Sequence, residues 1–160
     1  MKFFIEQIAL CPPVPAKAIW LLKELGLDEW AHDIVVANGS VYHEGPLTNR
    51  ALLAFNYQTT RENDKPLELE VLYYSEGRNW MDVNVPSVSH LGMHCSAEEL
   101  VLWTDRFEAL GIYWAQNVNT QSHTNPVIAG KRWYNYRIFH TRPILGVDLK
   151  FIVRKAEPPL

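Results

Sequence analysis

Apolar and polar residues alternate with a period of two over much of this chain, and twice that rhythm gives way to a helical one. In Ser87-Val88-Ser89-His90-Leu91-Gly92-Met93-His94-Cys95, one face carries His90, Gly92 and His94, and the other Leu91, Met93 and Cys95. A half-buried strand requires that pattern. The run enters a helix through Ser96-Ala97-Glu98-Glu99, a capping box in which the Ser hydroxyl and the Glu carboxylate satisfy each other's orphan backbone donors. The helix is predicted over Ala97–Leu110, ended by Gly111.

Before it, Phe3–Leu10 reads as a strand that Pro12, Pro13 and Pro15 terminate, since proline lacks the amide donor and fixes φ. From Ala16, the residues Ile19, Leu22 and Leu25, flanked by Trp20 and Leu21, predict a helix with Gly26 as its C′ stop. Asp33–Ala37 and Ser40–His43 flank Asn38-Gly39, a strong hairpin signal that also accounts for the glycosylation-like Asn38-Gly39-Ser40. Strands follow at Ala51–Gln58 and Leu67–Tyr74, separated by a polar loop over Thr59–Pro66. In the second, Glu68, Glu70, Leu72 and Tyr74 share a face. Gly77–Pro86 reads as a link, and further strands are predicted at Tyr113–Val118, Arg132–His140 and Gly146–Arg154. The last sets Val147, Leu149, Phe151 and Val153 against Gly146, Asp148, Lys150 and Ile152.

The order strand, helix, three strands thus occurs twice. Gln7 corresponds to His90, Gly26 to Gly111, and Glu70 to Lys150, while Lys23-Glu24-Leu25-Gly26-Leu27 matches Glu108-Ala109-Leu110-Gly111-Ile112. Each half is a short sheet with a helix on one face and cannot cover its second face alone. The expected fold is α+β: one domain over 1–160, two βαβββ modules at about 3–75 and 87–155, a curled and mostly antiparallel sheet, helices outside. The rows carrying Gln7, Glu70, His90 and Lys150 should then line a cup, where polar groups are costly unless they pair or touch a ligand.

A chain of 160 residues, 48% apolar and 21% charged, suits one soluble globular domain. A net charge of −3 without a basic patch argues against a nucleic-acid surface. Cys11 and Cys95 form neither a disulfide framework nor a zinc-knuckle spacing. Met1-Lys2-Phe3-Phe4-Ile5 has the look of a leader, but Glu6 and Gln7 interrupt the apolar run, and Leu10 is large where a small residue belongs before the Cys. The run is too short to span a bilayer. The expectation is a cytoplasmic protein with a small-molecule partner and no membrane.

With these elements the chain resembles the vicinal-oxygen-chelate superfamily, which includes glyoxalase I, extradiol dioxygenases and the bleomycin-resistance proteins. The residues that carry the resemblance are Ile5-Glu6-Gln7-Ile8-Ala9-Leu10, Leu69-Glu70-Val71-Leu72-Tyr73, Ser89-His90-Leu91-Gly92-Met93 and Gly146-Val147-Asp148-Leu149-Lys150-Phe151. Metal-using members take one ligand from each of those strands, so the resemblance implies Gln7, Glu70 and His90 as ligands of Zn, Ni, Mn or Fe. The fourth position holds Lys150, which when protonated has no lone pair and cannot ligate. Glu68 or Asp148, each two residues from a ligand position on the same row, are the possible substitutes. The implied activity is lyase, isomerase or dioxygenase chemistry on a small oxygenated substrate. The alternative is a metal-free protein sequestering a small aromatic or cationic compound, in which Glu70 pairs with Lys150. A homodimer is implied as well. His94 is a candidate cup residue, and His140, just before the last strand, a candidate proton shuttle. His43 and His123 fall near strand ends. Tyr134 and Tyr136, with Trp80, Trp103, Trp114 and Trp133, are candidates for lining a ligand pocket; core packing is the plainer reading for Trp103.

Overall fold

A computed structural model describes residues 1–41, 45–60, 63–77, 88–122 and 133–155. Its elements are β1 (Gln7–Leu10), α1 (Pro15–Glu24), β2 (Ala31–Val41), β3 (Gly45–Thr60), β4 (Asn63–Gly77), β5 (Val88–His94), α2 (Ala97–Ala109), β6 (Trp114–Ser122), β7 (Trp133–Phe139), α3 (Arg142–Leu145) and β8 (Asp148–Lys155). The strands form one curled sheet in the order β1-β4-β3-β2-β6-β7-β8-β5, and β5 returns to pair with β1. Among the described residues β1/β4 and β5/β8 are parallel and the other pairs antiparallel. A mostly-sheet chain with few helices and a curled sheet is what the alternation predicts.

Helix α2 begins as its sequence dictates. Ser96 Oγ accepts from the Glu99 amide at 3.1 Å, and Glu99 Oε2 accepts from the Ser96 amide at 2.9 Å. It buries Leu100, Trp103, Thr104 and Phe107 against a cluster that includes Met93, Phe139, Leu149, Phe151 and Val153. Phe107 stacks on Phe139 with centroids 4.6 Å apart, and Trp103 meets Phe151 at 5.3 Å. Each such pair is worth about 0.5–1.5 kcal/mol beyond its buried area. The packing fixes β5, β7 and β8 from one side and so determines which residues their other face presents.

Both longer helices end in the same way. Gly26 and Gly111 take φ of 87° and 72°, conformations that a side chain would strain. Leu27 donates to Leu22 O at 3.0 Å and Ile112 to Phe107 O at 2.9 Å, the six-to-one bond of a Schellman ending in each case.

Several sequence expectations change. Asn38-Gly39 is no turn: β2 runs unbroken through it and pairs with both β3 and β6. Its glycine answers a close approach instead, since a Cβ there would lie 2.0 Å from the Asn117 carbonyl oxygen. The polar stretch Thr59–Pro66 is mostly strand, because a paired ribbon reaching Thr60↔Asn63 draws on backbone bonding and needs no apolar face. On α1 the half-buried residues are Pro15, Ala18, Ile19 and Leu22, while Trp20, Leu21 and Leu25 are 62%, 53% and 70% exposed. The predicted stripe holds at Ile19 and Leu22 and stops short of Leu25, which is the C-cap and no longer in the helix. The short α3 was not anticipated. His43, Trp80, His123 and most of the predicted Gly77–Pro86 link lie outside the described residues.

Candidate functional site

Strand register decides which side chains can meet. On the face turned away from α2, one continuous row crosses six strands: Glu68, Gln7, Gly92, Lys150, Ile138 and Gln116. The row beside it runs Phe55, Glu70, Ala9, His90 and Asp148. Gln7, Glu70 and His90, distant in sequence, therefore come together; they are 3%, 2% and 1% exposed.

The hydrogen bonds specify their orientation. Gln7 Nε2 donates to Glu68 Oε1; a carboxylate only accepts, so the amide oxygen of Gln7 is left facing His90. His90 Nε2 lies 3.0 Å from Gln7 Oε1 and 3.3 Å from Glu70 Oε2. Both neighbours are acceptors, so the Nε2 nitrogen carries the proton. Gly92 makes room for this arrangement. A Cβ on it would sit 2.9 Å from both Cβ and Oε1 of Gln7.

Lys150 supplies the opposing charge. Its Nζ is 3.9 Å from Glu70 Oε2 and 4.8 Å from the Tyr136 ring centre. Burial pushes the Glu70 carboxyl up, but the Lys150 ammonium and the His90 hydrogen bond outweigh it and hold the group below its ordinary value. For His90, burial and then Lys150 depress the imidazole to about 4, against the pull of Glu70. At neutral pH the imidazole is thus uncharged, and its 3.3 Å approach to Glu70 is a polar contact between a neutral ring and a carboxylate. Burial, with Tyr136 second, raises the Tyr74 hydroxyl, and burial with Glu70 raises that of Tyr136.

His90 predicts an acid-side loss of stability. Its folded value is depressed, so the unfolded chain binds more protons between about pH 6.5 and 4, and stability rises with pH across that window. The loss on acidification should be on the order of 3 kcal/mol. Urea unfolding at stepped pH should show it, and His90→Gln should flatten that limb; an unaltered slope in the variant would assign the effect elsewhere.

Other expected residues fall outside this cluster. Asp148 is engaged by the short helix: the Arg142 amide donates to Oδ1 at 3.0 Å, Arg142 Nε lies 3.5 Å from Oδ2, and His140 Nδ1 lies 3.7 Å from Oδ1. His140 is half out in solvent, its side chain 51% exposed. His94 pairs in register with Ile152, beyond Gly92, and its amide donates to Glu6 Oε2 at 2.6 Å. Tyr134 shares the face of Tyr136 but lies opposite Arg154, further along β8 than Lys150. Register also settles the two faces of β7: Tyr136 and Ile138 stand with Lys150, while Arg137 and Phe139 stand with α2, where Arg137 Nη1 donates to Thr104 Oγ1 at 2.6 Å.

Two residues were not singled out from sequence. Tyr74 packs with Cys11, Ala51 and Leu72 at the apolar end of this face. Gln116 is 0% exposed, and neither amide atom meets hydrogen-bond geometry with a described residue, although the Tyr74 hydroxyl is near enough to temper its own upward shift. The sequence signal for Gln116 was its parity with Val118 in Trp114-Ala115-Gln116-Asn117-Val118.

The donor set does not suit a divalent cation. Lys150 stands at the fourth position and already balances Glu70. A dication about 4 Å from an ammonium, at an effective dielectric near 20, is repelled by roughly 8 kcal/mol. The substitutes are engaged elsewhere, Glu68 by Gln7 and Asp148 by Arg142. Among the described residues no three His, Cys, Asp or Glu side chains are grouped to hold a metal.

No protein-family model matches the chain, and no curated protein matches it. Among solved structures it is similar to a hypothetical protein from Bacillus halodurans C-125, at a TM-score of 0.48 and 11% identity over 98% of each chain. That likeness is too distant to name a family or an activity. No helix among the described residues is long and apolar enough to cross a membrane.

Proposed function

We propose that this chain is a duplicated βαβββ protein of the vicinal-oxygen-chelate type that binds a small, neutral, flat organic compound within its curled sheet, without a resident metal. What supports the duplication is that each pairing in one half has a counterpart in the other, β1/β4 with β5/β8 above all, and that both long helices end on the same glycine motif. The observation that carries the functional reading is Lys150, 3.9 Å from Glu70 Oε2, where a metal-using relative would place a fourth ligand. The pair cancels its own charge, and the Glu68 carboxylate on the same face accepts from the Gln7 amide. Tyr74 and Tyr136, both half-buried on this face, offer instead the aromatic surface that a flat neutral molecule takes.

A second reading, metal-dependent lyase, isomerase or dioxygenase chemistry, is favoured by the convergence of Gln7 Oε1 and Glu70 Oε2 on His90 Nε2. Quinoline titrated into EDTA-dialysed protein separates the two. Saturable NMR shifts of the Val118, Ile138 and Ile152 methyls are expected, unchanged by added Zn or Ni. Shifts that appear only with the metal, together with stoichiometric metal in protein purified without chelators, would support the enzyme. An absence of saturable shifts at those methyls would end the binding reading.

A further inference from the structure

The two longer helices end on the same glycine motif, so they can be compared position by position. Setting Gly26 on Gly111 places Pro15, Ala18, Ile19 and Leu22 of α1 over Leu100, Trp103, Thr104 and Phe107 of α2. The α2 residues are buried, at 4% to 9% exposure, whereas those of α1 are only half-buried. The outward positions differ as well. Asp105 and Arg106 on α2 are an acid and a base, as suits a solvated helix face; α1 carries Trp20 and Leu21 there, 62% and 53% exposed. With Leu25 beside them at 70%, α1 is apolar on both flanks, the composition of a helix covered from more than one side.

Charge points to what covers it. The exposed charges of α1 are two bases, Lys17 and Lys23, against one acid, Glu24. On α2 four acids, Glu98, Glu99, Asp105 and Glu108, stand against Arg106. Val101, Asp105 and Glu108 recur at four and then three residues and so share one flank of α2, while Trp20 and Lys23, three apart, share one flank of α1. Arg137 lies near Asp105 and Glu108, but it is a single cation and its guanidinium donates to Thr104 Oγ1 and Asn117 Oδ1. That flank of α2 keeps an excess of negative charge beside an apolar residue that is 55% exposed.

We infer that a second copy of this chain covers α1, with Trp20 of each copy packed on Val101 of the other's α2 and Lys23 set against Asp105 and Glu108. Helix α1 lies against β4 and α2 against β8, and only β1 and β5 separate those strands in the sheet. A two-fold axis passing between the helices makes the contact twice, and such an isologous contact closes at the dimer. The area is sufficient. Trp20, Leu21, Leu25, Val101, Leu102 and Leu110 are each 52% to 70% exposed. Large side chains bury about 150–250 Å² apiece, so these supply on the order of 600 Å², the larger part of the about 800 Å² per partner in a standard interface. An anionic lipid surface suits the helix less, because Glu24, Asp28 and Glu29 stand exposed at its C-terminal end.

This surface includes neither Glu70 nor Lys150, so its test is independent of the binding reading. Sedimentation velocity on the unaltered chain at tens of micromolar should give twice the mass of one chain. Trp20→Asp should raise the dimer dissociation constant at least tenfold, since buried interface tryptophans carry a large share of the binding energy. Lys23→Glu should weaken the dimer too, by placing like charges together. Adding Asp105→Lys and Glu108→Lys to Lys23→Glu should bring the constant back to within about threefold of the parent, a rescue that requires the two clusters to meet. Circular dichroism should match the parent throughout, because every altered side chain is exposed. Should the triple variant fail to fold, the two single variants decide. A monomer at tens of micromolar, or a dimer that Trp20→Asp leaves intact, overturns the inference. Flotation of a monomer with phosphatidylserine vesicles, lost in Trp20→Asp, would overturn it in favour of lipid.

Discussion

Gly39→Ala is expected to destabilise the fold by about 4 kcal/mol or more, the range reserved for changes that the backbone cannot absorb. The added Cβ would lie 2.0 Å from the Asn117 carbonyl oxygen, 2.6 Å from Val118 Cα and 2.7 Å from Val118 Cγ1. The two nearest of these are backbone atoms, so relief requires β2 and β6 to separate. They are the seam between the two halves on the side opposite β1 and β5, paired from Val35↔Ser122 to Ser40↔Asn117. Were Asn38-Gly39 a hairpin turn, the same substitution would cost only about 1–2 kcal/mol, the penalty of a left-handed backbone. The size of the effect therefore discriminates between the two structures. Thermal unfolding should fall by roughly 10 °C or more, at about 2–4 °C per kcal/mol for a chain of this size. Amide exchange should quicken at 35–40 and 117–122 ahead of β1 and β5. A variant within about 2 °C of the unaltered protein would show that the strands do not meet there.

Gly39 also marks where local pattern stops informing. The alternation in Ser89–Cys95 and Val147–Val153, the Ser96 capping box and the stops at Gly26 and Gly111 are all decided by neighbours within a few residues, and the structure has each of them. Gly39 is decided by Asn117 and Val118, strands away, and nothing beside it in sequence distinguishes a glycine made for a turn from one made for a close backbone. Gln116 is similar. Its parity was readable, but its complete enclosure is a property of what β4 and β7 bring opposite it. Lys150 was legible as an anomaly, because a cation at a ligand position violates chemistry whatever the fold. The α1 helix has its expected stop and half-buries Ile19 and Leu22 of the expected stripe, and Leu25, its C-cap, is the member that stands exposed.

Lys150→Met is the corresponding test of the site. Removing one member of a buried ion pair costs about 3–5 kcal/mol, mostly because its partner's charge is left unanswered. Here the partner is Glu70, its side chain 3% exposed, and Lys150 is itself only 12% exposed, so solvent cannot take over the role. The pH dependence carries the sign. In the unaltered protein the Glu70 carboxyl is held below its usual value of 4.5, so the pair's contribution is present above that pH and is lost as pH falls through the lower folded value. Without Lys150, burial dominates and the folded value rises above the unfolded one, so stability declines as pH climbs between them. The gap between variant and parent should be widest at pH 7 and should narrow as pH falls below 4.5. Adding Glu70→Gln to Lys150→Met removes the orphaned charge and should recover most of the loss, because a neutral amide of the same shape can still accept from His90. Urea unfolding of the parent, both single variants and the double variant gives the coupling energy directly. A pH-independent loss below about 1 kcal/mol in Lys150→Met would mean that the ammonium does not neutralise Glu70. Stabilisation of that variant alone by added Zn would then point to a cation as the natural partner of the carboxylate.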